Sequence, residues 1–171
     1  MYLKLHGSLD WAYCANDACH NYRRGVSMFD AMLDDGTDYY SRRCGECGDY
    51  MPTAIVPPTF SKTYEKLPSL MVQWKLAVRE LQRASRLVVV GLSFAPSDAR
   101  LSWLMQYGMW GAGAADARVD YVCDVRGSTE SEVAKARADV EQRVHGLFHA
   151  GRAKNIRICY KGLATFLSEL S

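Results

Sequence analysis

The amino-acid sequence predicts an α/β fold: part of a doubly wound, Rossmann-like parallel sheet with a small four-cysteine module inserted into it. Three observations point there. From about residue 63 onward, β-branched runs alternate with segments of helical periodicity, the pattern of a parallel sheet with helical crossovers. Before that, two close cysteine pairs occupy a turn-rich stretch with few aliphatic residues, too poor in apolar side chains to build a core alone. The 171 residues suit a single domain, since domains commonly run to ~100–150 residues. Residues 1–171 therefore read as one domain, with the cysteine module at 12–53 and the α/β part at 63–171.

In chain order, Tyr2 to Leu5 alternates and reads as a short strand, leaving His6-Gly7-Ser8 in a loop at its C-terminal end. The cysteine-rich stretch follows, with turn signals at Asn16-Asp17 and Asp34-Asp35-Gly36. Pro57-Pro58 marks a break in extended conformation. Leu70, Trp74, Ala77, Leu81 and Ala84 recur at helical spacing. Leu87 to Val90, ending in Gly91, reads as a strand buried on both faces. Leu101, Leu104, Met105 and Gly108 fit a helix capped by Ser97 or Asp98. Val119 to Val125 reads as a second strand. Thr129 and Glu132 form a capping box for a helix with Val133, Ala136, Val140, Val144 and Leu147 on one face. Ile156 to Tyr160 is a third strand, and Leu163, Phe166, Leu167 and Leu170 close the chain as a helix. There is no internal repeat and no low-complexity tract.

The formal net charge is +2, with acidic and basic residues interleaved. That gives no concentrated basic face for nucleic acid. No apolar run approaches the ~20 residues needed to span a membrane. Met1 to Trp11 has neither the basic nor the apolar region of a secretory signal, so a cytoplasmic protein is expected. In that setting the six cysteines read as metal ligands or buried thiols rather than disulfides.

Cys14 and Cys19 are separated by four residues, Cys44 and Cys47 by two. Two such pairs across a turn-rich loop fit tetrahedral thiolate coordination of zinc, each pair on one knuckle. Gly45 and Gly48 suit the tight backbone of the second knuckle. The loop between the pairs is longer than the usual ~15–20 residues. A closed four-thiolate site is structural, because no position is left for water or substrate. His20, beside Cys19, is a weaker competitor as ligand. Cys123 and Cys159 fall in predicted strands and read as small apolar residues.

The order of these features resembles the sirtuin family: a strand leading to His-Gly, two cysteine pairs, a proline-containing segment, and a strand ending in Gly-x-Ser. Leu5-His6-Gly7-Ser8-Leu9-Asp10-Trp11 is similar to the LHGSxxW signature of prokaryotic sirtuin-like proteins. Ile55-Val56-Pro57-Pro58-Thr59-Phe60 and Val90-Gly91-Leu92-Ser93-Phe94 through Asp98 resemble later segments of those proteins. The resemblance covers nearly the whole chain. It implies NAD as substrate and zinc as a structural ion. It also implies that His6 is a general base, deprotonating a hydroxyl of the nicotinamide ribose once the bond to nicotinamide breaks. Imidazole suits that task. Gly91 and Ser93 match the family's Gly-Thr-Ser turn, which contacts the NAD ribose. Independently, ligands of doubly wound sheets bind at the C-terminal ends of strands, where glycine lets the backbone approach. Asp124 ends the next strand, where an acidic residue can bond ribose hydroxyls; the sirtuin pattern has an asparagine near this place.

Two departures from the family pattern shape the expectation. The family's glycine-rich pyrophosphate loop lies well before the histidine, so an upstream segment or a partner subunit is expected to complete the NAD site. Gly111-Ala112-Gly113-Ala114 does not replace that loop, because it precedes a predicted strand instead of following one. Deacylating sirtuins also carry a Phe-Gly-Glu-type segment after the zinc module, where this chain has Pro58-Thr59-Phe60-Ser61-Lys62. That favours NAD hydrolysis, as in prokaryotic defence systems, over protein deacylation. The alternative is an inert module that binds NAD or ADP-ribose, or a zinc-stabilised interaction domain. His145 and His149 form no metalloprotease motif, Asp34, Asp35 and Asp38 lack calcium-loop spacing, Ser8 is in no nucleophile elbow, and Trp11 and Trp74 read as core support.

Overall fold

The computed structural model describes residues 1–28, 42–56, 67–94, 98–109, 117–148 and 155–170. The chain divides into two compact units, Met1–Leu76 and Ala77–Ser171. The first contains the 12–53 stretch; the second holds all three strands of the parallel sheet.

The N-terminal unit is built on β1 (Gly7–Tyr13), α1 (His20–Arg24), β2 (Val26–Met28) and β3 (Thr53–Ile55). β1 is the centre of an antiparallel sheet ordered β2-β1-β3, with Trp11 opposite Met28 and Gly7 opposite Ile55. Residues Tyr2 to Leu5, expected as a strand, form none. Lys4 to Gly7 is a turn closed by a hydrogen bond from Gly7 N–H to the Lys4 carbonyl at 3.0 Å, and the strand begins only after it. The antiparallel sheet was not foreseen, because β1 carries no period-2 burial and its two partners have three residues each. Gly7 is obligatory here. Its φ is +81°, and a Cβ on it would lie 1.8 Å from the Ala54 carbonyl oxygen.

α2 (Pro68–Arg83) has the predicted helical face, and the division between the units falls inside it. Leu70 and Trp74 are buried.

The C-terminal unit contains β4 (Arg86–Val90), α3 (Ala99–Gly108), β5 (Arg118–Val122), α4 (Glu130–Leu147), β6 (Ile156–Cys159) and α5 (Gly162–Ser168). The strands are parallel in the order β4-β5-β6, with Leu87 opposite Val119 and Val119 opposite Ile156. This is the predicted α/β alternation and a Rossmann-like element. The main core lies on one sheet face, where Val89, Val119 and Tyr121 pack with Val140, Val144, Leu147 and Phe148. On the other, Val122 and Cys159 pack with Phe166 of α5. Asp120, also buried, accepts from Arg86 Nε at 2.6 Å and Arg118 Nε at 3.0 Å, so its charge is doubly compensated.

The helix caps stand as expected. Asp98 Oδ1 accepts from Leu101 N–H at 3.3 Å. Thr129 Oγ1 accepts from Glu132 N–H at 3.2 Å while the Glu132 carboxylate accepts from Thr129 N–H at 3.2 Å, a complete capping box. Four details differ from expectation. β4 is not buried on both faces, since Val88 and Val90 are 41% and 47% exposed. β5 ends at Val122 rather than Val125. Cys123 is only partly buried. On α5, Phe166 alone is buried, while Leu163 and Leu167 are exposed, and Leu170 lies exposed beyond the helix. The exposure of Val88 and Val90 fits a second sheet face that, among the described residues, is packed by the short α5. Pro57, Pro58 and Thr59-Phe60, Ser97, the Asp34–Asp38 turn, Gly111–Ala114 and His149 lie outside the described residues.

Candidate functional site

β1 runs directly into Cys14, and Cys19 is the N-cap residue of α1. The second knuckle is a turn in which Gly48 N–H donates to the Cys44 carbonyl at 2.8 Å and Cys44 N–H donates to the Asp49 carbonyl at 2.8 Å. Gly48 adopts φ +74° there. The two knuckles are tied together by Asn16 Nδ2, which donates to Asp49 Oδ2 at 2.6 Å.

This brings the four predicted cysteines into one cluster whose sulfurs all lie within 4.8 Å of one another. Cys14 Sγ is 3.6 Å from Cys47 Sγ, and Cys19 Sγ is 3.8 Å from Cys44 Sγ. Cys14, Cys19 and Cys44 are buried and Cys47 is exposed. His20, the competing ligand, is exposed and belongs to no such cluster among the described residues.

The electrostatics differ from thiol to thiol within the cluster. Burial pushes the Cys14 thiol up to about 12 and raises that of Cys19. Cys44 is pulled down to about 6, first by the Asn21 side-chain amide and then by the backbone N–H groups of Cys47 and Glu46. One thiolate is thus prepared by the fold, and its buried neighbours need a positive charge to ionise. Four closely spaced sulfurs fit a tetrahedral zinc site, in which Cys14, Cys19, Cys44 and Cys47 would be the ligands. Two supporting residues escaped the sequence reading. Asn21 Nδ2 donates to Cys44 Sγ at 3.3 Å, and the Glu46 carboxylate accepts from Cys19 Sγ at 3.7 Å while pairing with Arg24 at 3.5 Å. Their signal was position: each lies within two residues of a ligand cysteine.

His6 is the third residue of the Lys4–Gly7 turn and is partly buried. Its carbonyl accepts from Val56 N–H at 2.8 Å, and its ring meets that of Trp74 at 6.0 Å and 87°. Next to it, Lys4 Nζ donates to Ser8 Oγ at 2.6 Å and to Asp10 Oδ1 at 3.2 Å, and lies 5.4 Å from the centre of the Trp11 ring. The Asp10 carboxyl is held below its ordinary value, first by the Ser8 hydroxyl and also by Lys4.

Gly91 immediately follows β4 with φ +66° and open space where a Cβ would be. Its N–H donates to the Val122 carbonyl at 3.1 Å. Ser93 is exposed two residues on, and Phe94 returns to the core at φ +50°. Asp124 follows the end of β5, exposed, and accepts from Arg126 Nε at 2.8 Å. Gly91, Ser93 and Asp124 therefore all follow the C-terminal ends of adjacent parallel strands. Beyond Asp124, the entry to α4 borders an open cleft of about 570 Å³ lined by Gly127, Thr129, Val133 and Arg137 among others. His145 is exposed near the end of α4, and no helix among the described residues is long and apolar enough to cross a membrane.

In comparisons with known proteins, no family model, no curated protein and no solved structure matches this chain.

Proposed function

We propose that this chain is a zinc-stabilised, NAD-cleaving domain of sirtuin-like type, acting more as an NAD hydrolase than as a protein deacylase. The observation that supports it is an ordered constellation on one chain: a His-Gly turn, a four-thiol cluster, and a glycine bend at the end of a parallel strand. Zinc would be held by Cys14, Cys19, Cys44 and Cys47 and would fix the two knuckles, supplying no chemistry to the reaction. Gly91 and Ser93 would lie against a ribose, with Asp124 accepting from its hydroxyls. The cleft beside α4 is of a size that suits part of a nucleotide. His6 would take a proton from the nicotinamide-ribose hydroxyl, for which imidazole is chemically suited. An upstream segment or partner subunit would supply the pyrophosphate loop.

The test is NAD cleavage by the purified chain, with nicotinamide and ADP-ribose separated by chromatography. Nicotinamide release that falls about 10²–10⁴-fold in His6→Ala, with zinc content unchanged, supports the reading. Undiminished release in that variant overturns it; no release from folded, zinc-loaded wild type selects the inert, binding-only module unless supplying the upstream segment or partner restores cleavage.

A second reading, a zinc-stabilised interaction module, is favoured by one observation. Trp103 and Tyr107 stack on the surface of α3 at 4.8 Å, each 50% exposed. Tryptophan and tyrosine are enriched at protein interfaces. Zinc content without any thermal shift from NAD would select this reading.

A further inference from the structure

We infer that Trp74 is a positioning residue for His6, an inference that rests on reading His6 as the base. The argument starts from the turn. Gly7 N–H closes it onto the Lys4 carbonyl, so its central peptide is the one joining Leu5 to His6. That central peptide is the unit whose rotation separates the two commonest turn types. Its carbonyl, that of Leu5, accepts from Trp74 Nε1–H at 2.8 Å. The peptide on the other side of His6 is held as well, by the bond from Val56 N–H to the His6 carbonyl. With both flanking peptide planes fixed, φ and ψ of His6 are fixed, and so is the direction of its Cα–Cβ bond.

Trp74 acts a second time on the side chain itself. Its ring stands edge-to-face against the imidazole, at 6.0 Å and 87°, the arrangement aromatic quadrupoles prefer. The indole is only 4% exposed, so it is a fixed wall rather than a mobile neighbour. The preceding residue on α2 strengthens the clamp, since Gln73 Oε1 accepts from Lys4 N–H at 2.7 Å. One helical residue thus sets both the backbone and the ring of His6. A phenylalanine in its place would keep an aromatic face but could not hold the peptide.

The experiment compares wild type, Trp74→Phe and His6→Ala by long-range proton–nitrogen spectra of the imidazoles, together with NAD turnover. The chain has four histidines, and His6→Ala identifies the His6 signal. The expected result is that Trp74→Phe moves the His6 resonances toward free-histidine positions and leaves those of His20 and His145 in place. Turnover should then fall about 10–100-fold in kcat with little change in KM, the effect of a misplaced catalytic group. A His6 resonance indifferent to Trp74→Phe overturns the inference whatever the turnover. Equal losses in kcat/KM through KM alone also overturn it, because that is a binding defect. Full turnover in His6→Ala instead removes the reading of His6 as base; the imidazole spectra then still decide whether Trp74 holds the ring. Should Trp74→Phe fail to fold, the benzothiophene analogue of tryptophan at position 74 keeps the bicyclic shape and removes the N–H donor. The same shift of the His6 signal is expected there.

Discussion

Around the cysteine cluster the buried apolar residues, among those described, are Ala12, Met51 and three of the cysteines, Cys14, Cys19 and Cys44. In the C-terminal unit, by contrast, Val89, Val119, Tyr121, Val140, Val144, Leu147 and Phe148 share one core. The first region joins β1 and two three-residue strands to knuckles and a five-residue helix, with few apolar side chains to remove from water. The second holds its strands together by burying branched side chains against long helices. The contrast teaches that the four clustered cysteines are placed where ordinary packing is thin.

The sharpest way to break this comparison is to deny the cysteine cluster a metal. Structural zinc contributes about 10–16 kcal/mol in small zinc modules. A strong chelator, or Cys44→Ser, should therefore abolish amide-exchange protection in β1 and the knuckles while β4, β5 and β6 keep theirs, as read by hydrogen-exchange mass spectrometry. Unchanged protection of β1 would mean that the region stands without a cation. The converse substitution is Phe166→Ala, which empties the apolar contact under α5. Its cost should be about 3–5 kcal/mol, seen as a lower denaturation midpoint with zinc content intact. Zinc loss in that variant would show that the two regions do not melt independently. The smallest effect expected is that of Thr129→Ala, which removes the N-cap of α4 for about 1 kcal/mol. Its signature is faster exchange confined to the first turn of that helix.

How much of this was legible in the sequence depends on the range of the interactions concerned. The capping box at Thr129 and Glu132, the periodic face of α2 and the cysteine spacing are all local patterns, and each appears in the structure as read. Tyr2 to Leu5 misled because an alternating tetrapeptide says nothing about whether a partner strand exists. What organises that segment is contact with Gln73 and Trp74, about seventy residues away. β4 misled in the other direction. A β-branched run signals a strand, but whether Val88 and Val90 are covered depends on how many helices lie over that face. Of the candidate site, the sulfur cluster was readable because its geometry is fixed by short spacings. The surroundings of His6 were not, since they arise from a turn, a strand and a helix distant in sequence.

Gly7 has a consequence for anyone selecting variants of this chain. Its left-handed backbone and the 1.8 Å approach of any Cβ to the Ala54 carbonyl exclude nineteen of the twenty genetic choices at that codon for mechanical reasons alone. In a saturation library, position 7 would be depleted as deeply as the adjacent histidine, although glycine offers no reactive group. Depletion at His6 and Gly7 therefore carries different meanings, and the pair is separated by substitutions such as His6→Gln, which keep a side chain of similar reach while removing the titrating ring. A library that tolerates His6→Gln but no change at Gly7 would be recording the shape of the turn rather than its chemistry.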